Sequence, residues 1–189
     1  IGHLQSKAMN DIIKIHDKEF EPYLRKEDIH SRVRFIAEQL NRDFATKKPL
    51  FIAILNGSFM FAADLFKEVH IDAEICFIKL ASYKGTKSTG HVITAIGLDM
   101  DIIGRHVVII EDIIDTGKTL HEFLPQLHHQ QPASVHIAAL LHKPEATVYP
   151  VKVDYLGFSI PNIFVVGYGL DYDGLGRNIR EAYRIVEDR

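Results

Sequence analysis

The sequence predicts an α/β fold with a mainly parallel, twisted sheet covered by helices on both faces. Three observations lead there. Nearly continuous aliphatic runs recur at "PLFIAIL" (49–55), "AEICFIKLAS" (73–82), "HVVIIED" (106–112) and "SVHIAALLH" (134–142). Such runs suit strands buried on both faces, because a half-exposed strand would alternate with polar residues. Segments with helical periodicity precede or separate them, which is the alternation of a parallel sheet with crossover helices. Finally, 189 residues with 47% apolar and 25% charged side chains fit one domain spanning residues 1–189.

Taken in order, residues 26–45 place Ile29, Val33, Ile36, Ala37, Leu40 and Phe44 on one helical stripe. The strand 49–55 follows, punctuated by Asn56-Gly57-Ser58 before a helix through "FMFAADLFKEV". After the strand 73–82 comes a polar loop, "YKGTKSTGH" (83–91), and a returning strand "VITAIGL" (92–98). The strand 106–112 feeds a helix "KTLHEFLPQLHH" (118–129), which Pro125 is expected to bend or end. Strand 134–142 and a last strand at "IFVVGYGL" (163–170) lead into a glycine- and acid-rich tail. Ligands of such sheets bind beyond the carboxyl ends of the strands. Asn56-Gly57, residues 111–119 and the tail after Leu170 all follow strands, so they are expected to share one site.

Bulk properties exclude several classes. A net charge of −3 opposes sequence-independent binding to nucleic acid, which normally needs a basic face. The single Cys76 lies in an apolar run, as packing rather than as a nucleophile, and allows no disulfide within the chain. That fits a reducing, cytoplasmic setting. No stretch approaches the ~20 apolar residues that span a bilayer. The start "IGHLQSKA" lacks the apolar core of a signal peptide, and Met9 reads as a natural initiator preceded by an added leader, residues 1–8.

The chemistry concentrates in "VVIIEDIIDTGKTL" (107–120), where a buried strand carries two adjacent acids and then a short turn opens a helix. Backbone N–H groups at a helix start lack helical partners and favour an anion. Gly117 permits close approach, and Thr116 and Thr119 add hydroxyl donors. The competing reading is that Asp115 or Thr116 merely caps the helix. A nucleotide-binding P-loop is ruled out, because that pattern needs a glycine at position 112, which is Asp112. Glu111 and Asp112, placed at the mouth of the strand, can accept hydrogen bonds from a vicinal diol or hold Mg2+. A ribose 5-phosphate satisfies both halves, with the sugar ring as spacer.

This stretch resembles the phosphoribosyl-pyrophosphate motif of the type I phosphoribosyltransferases. With "LNGSFMFAADL", "LASYKGTKSTG", "LLHKP" and "GFSIPNIFVVGYGLDYDGLGRNI", the resemblance covers residues 15–180 and points to the 6-oxopurine branch, the hypoxanthine(-guanine) phosphoribosyltransferases. It implies that family's fold, with a small hood over the site formed by the N- and C-terminal segments. It also implies transfer of 5-phosphoribosyl from phosphoribosyl pyrophosphate to N9 of hypoxanthine and guanine, with two Mg2+ ions, in a homodimer or homotetramer. Under that resemblance Glu111 and Asp112 serve the ribose diol and a metal, and Asp115 is the general base near purine N7. Residues Asp115, Thr116, Gly117, Lys118 and Thr119 form the 5-phosphate loop. Lys143 donates to the purine 6-oxo group, and an ammonium, having only donors, would reject adenine's 6-amino group. Phe164 stacks on the base, and the Val165 backbone meets its edge. Asp171 faces the base and holds a second Mg2+. Leu55, Asn56 and Gly57, where the family often has a cis peptide, and Arg177 bind pyrophosphate.

Residues 82–91 resemble a mobile lid, with Ser82 and Tyr83 as contacts to the closed complex; a plain surface hairpin is the alternative. Asn56 and Ile163 stand where some relatives carry lysine, so no charge is expected at either place. Two other functions compete: a xanthine-preferring transferase, and a non-catalytic sensor of phosphoribosyl pyrophosphate acting on nucleic acid.

Overall fold

Strand polarity sets the architecture of the computed structural model, which describes residues 11–84 and 91–187, with side chains described outside 82–96. A central strand β3 (Leu50–Leu55) pairs in parallel with β4 (Glu74–Lys84) on one side and β6 (His106–Ile114) on the other. Beyond β6 follow β7 (Ser134–His142) and β8 (Tyr155–Ser159), also parallel, while β5 (His91–Ile96) closes the opposite edge antiparallel to β4. The six-stranded order is β5-β4-β3-β6-β7-β8.

Alternation along β3 shows why the strand runs are continuously apolar. Phe51 and Ala53 enter one core with helices α1 (Lys26–Asp43) and α2 (Phe59–Lys67). Leu50, Ile52 and Ile54 enter a second core with Leu120, Phe123 and Leu127 of helix α3 (Lys118–His129). Successive side chains leave opposite faces of a strand, so both sets must be apolar when both faces are covered. The predicted stripe of α1 is the buried one: Ile29, Val33, Ile36, Ala37 and Leu40.

Helix α3 has the bounds read from the sequence and runs through Pro125, so of the two alternatives there the helix does not end at the proline. Phe123 and Leu127 are buried on either side of the proline, and their packing, about 2 kcal/mol each, offsets the ~3 kcal/mol cost of an interior proline. The segment 163–170 is not a strand of the main sheet; only β9 (Val165–Val166) forms, and it joins a separate four-stranded sheet, β1-β2-β10-β9. Finally, β8 was not anticipated. It contains Gly157, where an added Cβ would come within 2.3 Å of the Leu140 carbonyl oxygen, so the register needs a residue that reads as a loop signal.

The small sheet joins the two ends of the chain. Strands β1 (Ile13–Ile15) and β2 (Lys18–Leu24) form a hairpin, and β10 (Ala182–Ile185) lies between β2 and β9. Ile15, Phe20 and Val166 make its buried core. Among the described residues no helix is long and apolar enough to cross a membrane.

One turn binds the tail to the main body. Tyr168 has a left-handed φ of 47° between Gly167 and Gly169, and its hydroxyl donates to Asp64 Oδ2 of α2 at 2.5 Å. Burial and the facing carboxylate push the phenol pKa far up, so the hydroxyl stays a donor throughout the physiological range. Replacing Tyr168 with Phe is expected to cost about 1–2 kcal/mol, read as a lower urea midpoint with an unchanged slope.

Candidate active site

Parallel pairing of β3 with β6 sets two loops side by side at the carboxyl end of the sheet. Strand β6 continues through Ile113 and Ile114, which pair with Leu141 and His142 of β7. Glu111 and Asp112 therefore lie inside the strand and not at its mouth as the sequence suggested. Glu111 is only 7% exposed. Its pKa is raised well above the usual carboxyl range by burial first and by the neighbouring Asp112 charge second. Asp112 is raised as well, by burial, although hydrogen bonds and the Arg177 charge pull the other way. One of those bonds comes from the Ile113 N–H, 2.8 Å from Asp112 Oδ1. A hydrogen-bond donor or a cation brought beside these acids would favour their charged form and so oppose the upward shift.

The turn after β6 forms the predicted cup. Gly117 has a φ of 82° and begins α3, and an added Cβ would sit 2.2 Å from the Tyr149 carbonyl oxygen. A side chain is excluded on both counts. A cavity of about 230 Å3 is lined by Ile54 and by the run from Glu111 to Leu120, which includes Asp112, Asp115, Thr116, Gly117, Lys118 and Thr119. The capping alternative holds in part for Thr116, whose hydroxyl accepts the Lys118 N–H at 3.3 Å. It does not hold for Asp115, whose carboxylate faces Lys143 Nζ at 3.6 Å. Lys143 is 6% exposed, far from a solvated strand-end lysine. Its backbone N–H donates to the Ile114 carbonyl at 2.9 Å.

The remaining predicted residues lie outside the lining of that cavity, and of these the Gly57 turn and the tail around Gly169 are packed against it. An added Cβ on Gly57 would fall 1.7 Å from Asp112 Oδ2, and one on Gly169 would fall 2.2 Å from the Gly57 carbonyl oxygen. The Leu55–Asn56 peptide is cis and Asn56 is exposed. Arg177 donates to the Gly169 carbonyl at 2.7 Å and pairs with Asp171 at 3.1 Å, while Asp171 also accepts the Gly174 N–H at 2.9 Å. Phe164 is 42% exposed and stands against Phe20 and Tyr172 of the small sheet and tail. Val165 is buried in β9. Ser82 and Tyr83 lie in β4 opposite Ile93 and Val92, and residues 85–90 of the expected lid lie outside the described residues.

Sequence reasoning missed some supporting residues. Ser58 is fully buried and donates to the Ile54 carbonyl at 2.6 Å, fastening the Leu55–Gly57 turn to β3. The amides of Val148 and Tyr149 donate to the Thr116 carbonyl at 3.0 and 2.9 Å, holding the cup from behind. Only Gly169 carried a legible signal, as one of the glycines flanking an aromatic in "VGYGL".

Comparison with known proteins agrees with this arrangement. A family model described as the phosphoribosyl transferase domain matches residues 21–173. The chain is 42% identical over 165 residues to a hypoxanthine-guanine phosphoribosyltransferase of Lactococcus lactis, covering 86% of this chain and 90% of that protein. It is 41% identical over 171 residues to the Streptococcus pneumoniae enzyme of that name, covering 90% and 91%. The crystal structure of a Staphylococcus aureus hypoxanthine phosphoribosyltransferase superposes with a TM-score of 0.82 at 35% identity, over 97% of this chain and 96% of that one. The chain accordingly belongs to the phosphoribosyltransferases, in the hypoxanthine-guanine phosphoribosyltransferase group.

The acid pair gives a pH signature. A carboxyl whose folded pKa is raised binds its proton more tightly in the folded state. Stability is then whole below the unfolded value of 4.5 and is lost as pH rises through the folded value. For the ligand-free chain, Glu111→Gln is expected to remove much of that decline and to raise stability at neutral pH by on the order of 2 kcal/mol. Thermal melts of both chains between pH 4 and pH 8 (roughly the span in which such groups titrate) check this.

Proposed function

We propose that the chain transfers the 5-phosphoribosyl group of phosphoribosyl pyrophosphate to N9 of hypoxanthine, and of guanine, in purine salvage. The products are the nucleoside monophosphate and pyrophosphate. One observation carries the reading: buried Glu111, half-buried Asp112 and the turn 115–119 line one cavity, and the buried Lys143 ammonium stands against Asp115 of that lining.

In this reading the ribose hydroxyls donate to Glu111 and Asp112, and the 5-phosphate sits among the amides of residues 115–119 at the start of α3. As N9 bonds to C1 and the C1–pyrophosphate bond breaks, the purine loses a ring proton, which Asp115 takes from the N7 side. Lys143 Nζ donates to the 6-oxo group and stabilises negative charge spreading onto it. Phe164 stacks on the base, and the Val165 backbone meets its edge. The Leu55–Gly57 amides and Arg177 receive the leaving pyrophosphate. Strand ends Ser82 and Tyr83, with residues up to 91, close over the complex.

The donor set suits Mg2+. No cluster of three or more His, Cys, Asp or Glu that could hold a metal occurs among the described residues. Mg2+ commonly binds one or two carboxylates and takes its other ligands from phosphates and water. Glu111 and Asp112 on one side, and Asp171 on the other, would each hold one ion that neutralises the departing pyrophosphate. Assembly as a homodimer or homotetramer in the cytoplasm completes the proposal. Exposed Phe35, Phe59 and Phe77 support an interface between copies.

The direct test is a spectrophotometric assay with phosphoribosyl pyrophosphate, Mg2+ and hypoxanthine, guanine or xanthine. Turnover of the first two is expected. Tight sugar-phosphate binding with no turnover would sink the assignment, and preference for xanthine would correct the substrate. Asp115→Asn should leave substrate binding near wild type and lower kcat by about 10²-fold or more, as steady-state kinetics would show. Lys143→Ala should weaken hypoxanthine binding by about 1.5–3 kcal/mol and phosphoribosyl pyrophosphate binding far less, as separate titrations would resolve.

A further inference from the structure

Lys143 and Asp115 come from different segments, and a single side chain touches the backbone of both. The Thr147 hydroxyl lies 3.2 Å from the Asp115 carbonyl oxygen and 3.0 Å from the Lys143 carbonyl oxygen. His142 Nε2 lies 3.1 Å from the same hydroxyl. A hydroxyl has one proton to give and carbonyls only accept, so the hydroxyl proton goes to the carbonyls. The imidazole nitrogen must then be the donor, which fixes His142 with its proton on Nε2. His142 is itself held, since its carbonyl accepts the Ile160 N–H at 2.8 Å and it pairs with Ile114 and Ser159 in the sheet.

We propose that Thr147, oriented by His142, is a positioning residue that sets the distance between the Asp115 carboxylate and the Lys143 ammonium. The inference rests on the phosphoribosyl-transfer reading for its consequence, though not for its geometry. The segment from Lys143 to Tyr149 lies along the phosphate cup through three backbone bonds, Lys143 to Ile114 and both Val148 and Tyr149 to Thr116. Those bonds fix the strap at its ends. Between them runs a 3-10 turn (Pro144–Ala146), and the Thr147 hydroxyl that follows it is the clasp joining the Asp115 and Lys143 backbones. Without the clasp, Lys143 keeps its place in the fold but loses its register against Asp115. A base that must touch both groups at once would sense that loss.

Thr147→Val removes the hydroxyl and keeps the shape, and Thr147→Ser restores the hydroxyl. Two readouts decide. In hydrogen exchange on the ligand-free chain, Thr147→Val should speed the Lys143, Val148 and Tyr149 amides about tenfold and leave the β7 amides alone, with Thr147→Ser near wild type. In steady-state kinetics, KM for hypoxanthine should rise about tenfold with KM for phosphoribosyl pyrophosphate unchanged. His142→Gln, whose amide N–H can stand in for Nε2–H, should behave as wild type, and His142→Phe should follow Thr147→Val. This second pair carries the test if Thr147→Val does not fold. Unchanged exchange, or equal losses for both substrates, or no rescue by serine would overturn the proposal. If the wild-type chain does not turn over hypoxanthine, the functional reading falls, and the exchange data still decide the clasp.

Discussion

The site depends on one close approach, that of the Asp112 carboxylate to the bare α-carbon of Gly57. Strands β3 and β6 are hydrogen-bonded neighbours, so their carboxyl ends cannot be far apart. A side chain at position 57 would occupy the place of the carboxylate oxygen. Gly169 repeats the arrangement one layer out, against the carbonyl of Gly57. Carboxylate, turn and tail turn thus form a stack without side chains between them, and Arg177 closes it by binding Gly169 and Asp171 together. Segments more than fifty residues apart in sequence (~3.5 Å per residue if extended) are brought together where glycines let a carboxylate and a carbonyl approach the backbone closely.

The electrostatics follow from the same packing. Two adjacent acids inside a covered sheet cannot both be charged cheaply without a partner. Burial raises the pKa of both, and the Arg177 charge opposes the rise at Asp112. A ligand that donates hydrogen bonds or brings a cation would favour the charged form of Glu111. Lys143 presents the converse case. It is buried beside a half-exposed carboxylate, and that pairing makes its burial tolerable.

Much of this was legible in the residues, and the exceptions are physical. Both-face burial of β3, β6 and β7 shows directly as unbroken aliphatic runs, and the α1 stripe as a 3.6-residue period. The cup was legible because glycine between hydroxyl residues at a strand-to-helix turn has few other uses. The position of the acids within β6 was not, since a carboxylate looks like a strand end unless its neighbours' pairing is known. Pro125 left open whether α3 ends there, and the burial of Phe123 and Leu127 carries the helix through it. Strands β1, β2 and β10 were invisible locally, as Phe20 finds its partner at Ile185 and Leu24 at Ala182. Nothing in the sequence marks Thr147 or Ser58.

The pairing of β2 with β10 bears on how the protein comes into being. Phe164 rests on Phe20, and both belong to a sheet whose central strand is supplied by residues near the carboxyl terminus. A nascent chain emerging from the ribosome can lay down the parallel sheet and the turn 115–119 early, since those contacts close within residues 26–159. The aromatic shelf has no edge to rest on until residues 182–185 arrive. Synthesis therefore supplies every strand of the larger sheet before the strand that completes the smaller one, and a chain cut before residue 182 would lack the support on which Phe164 and Phe20 meet.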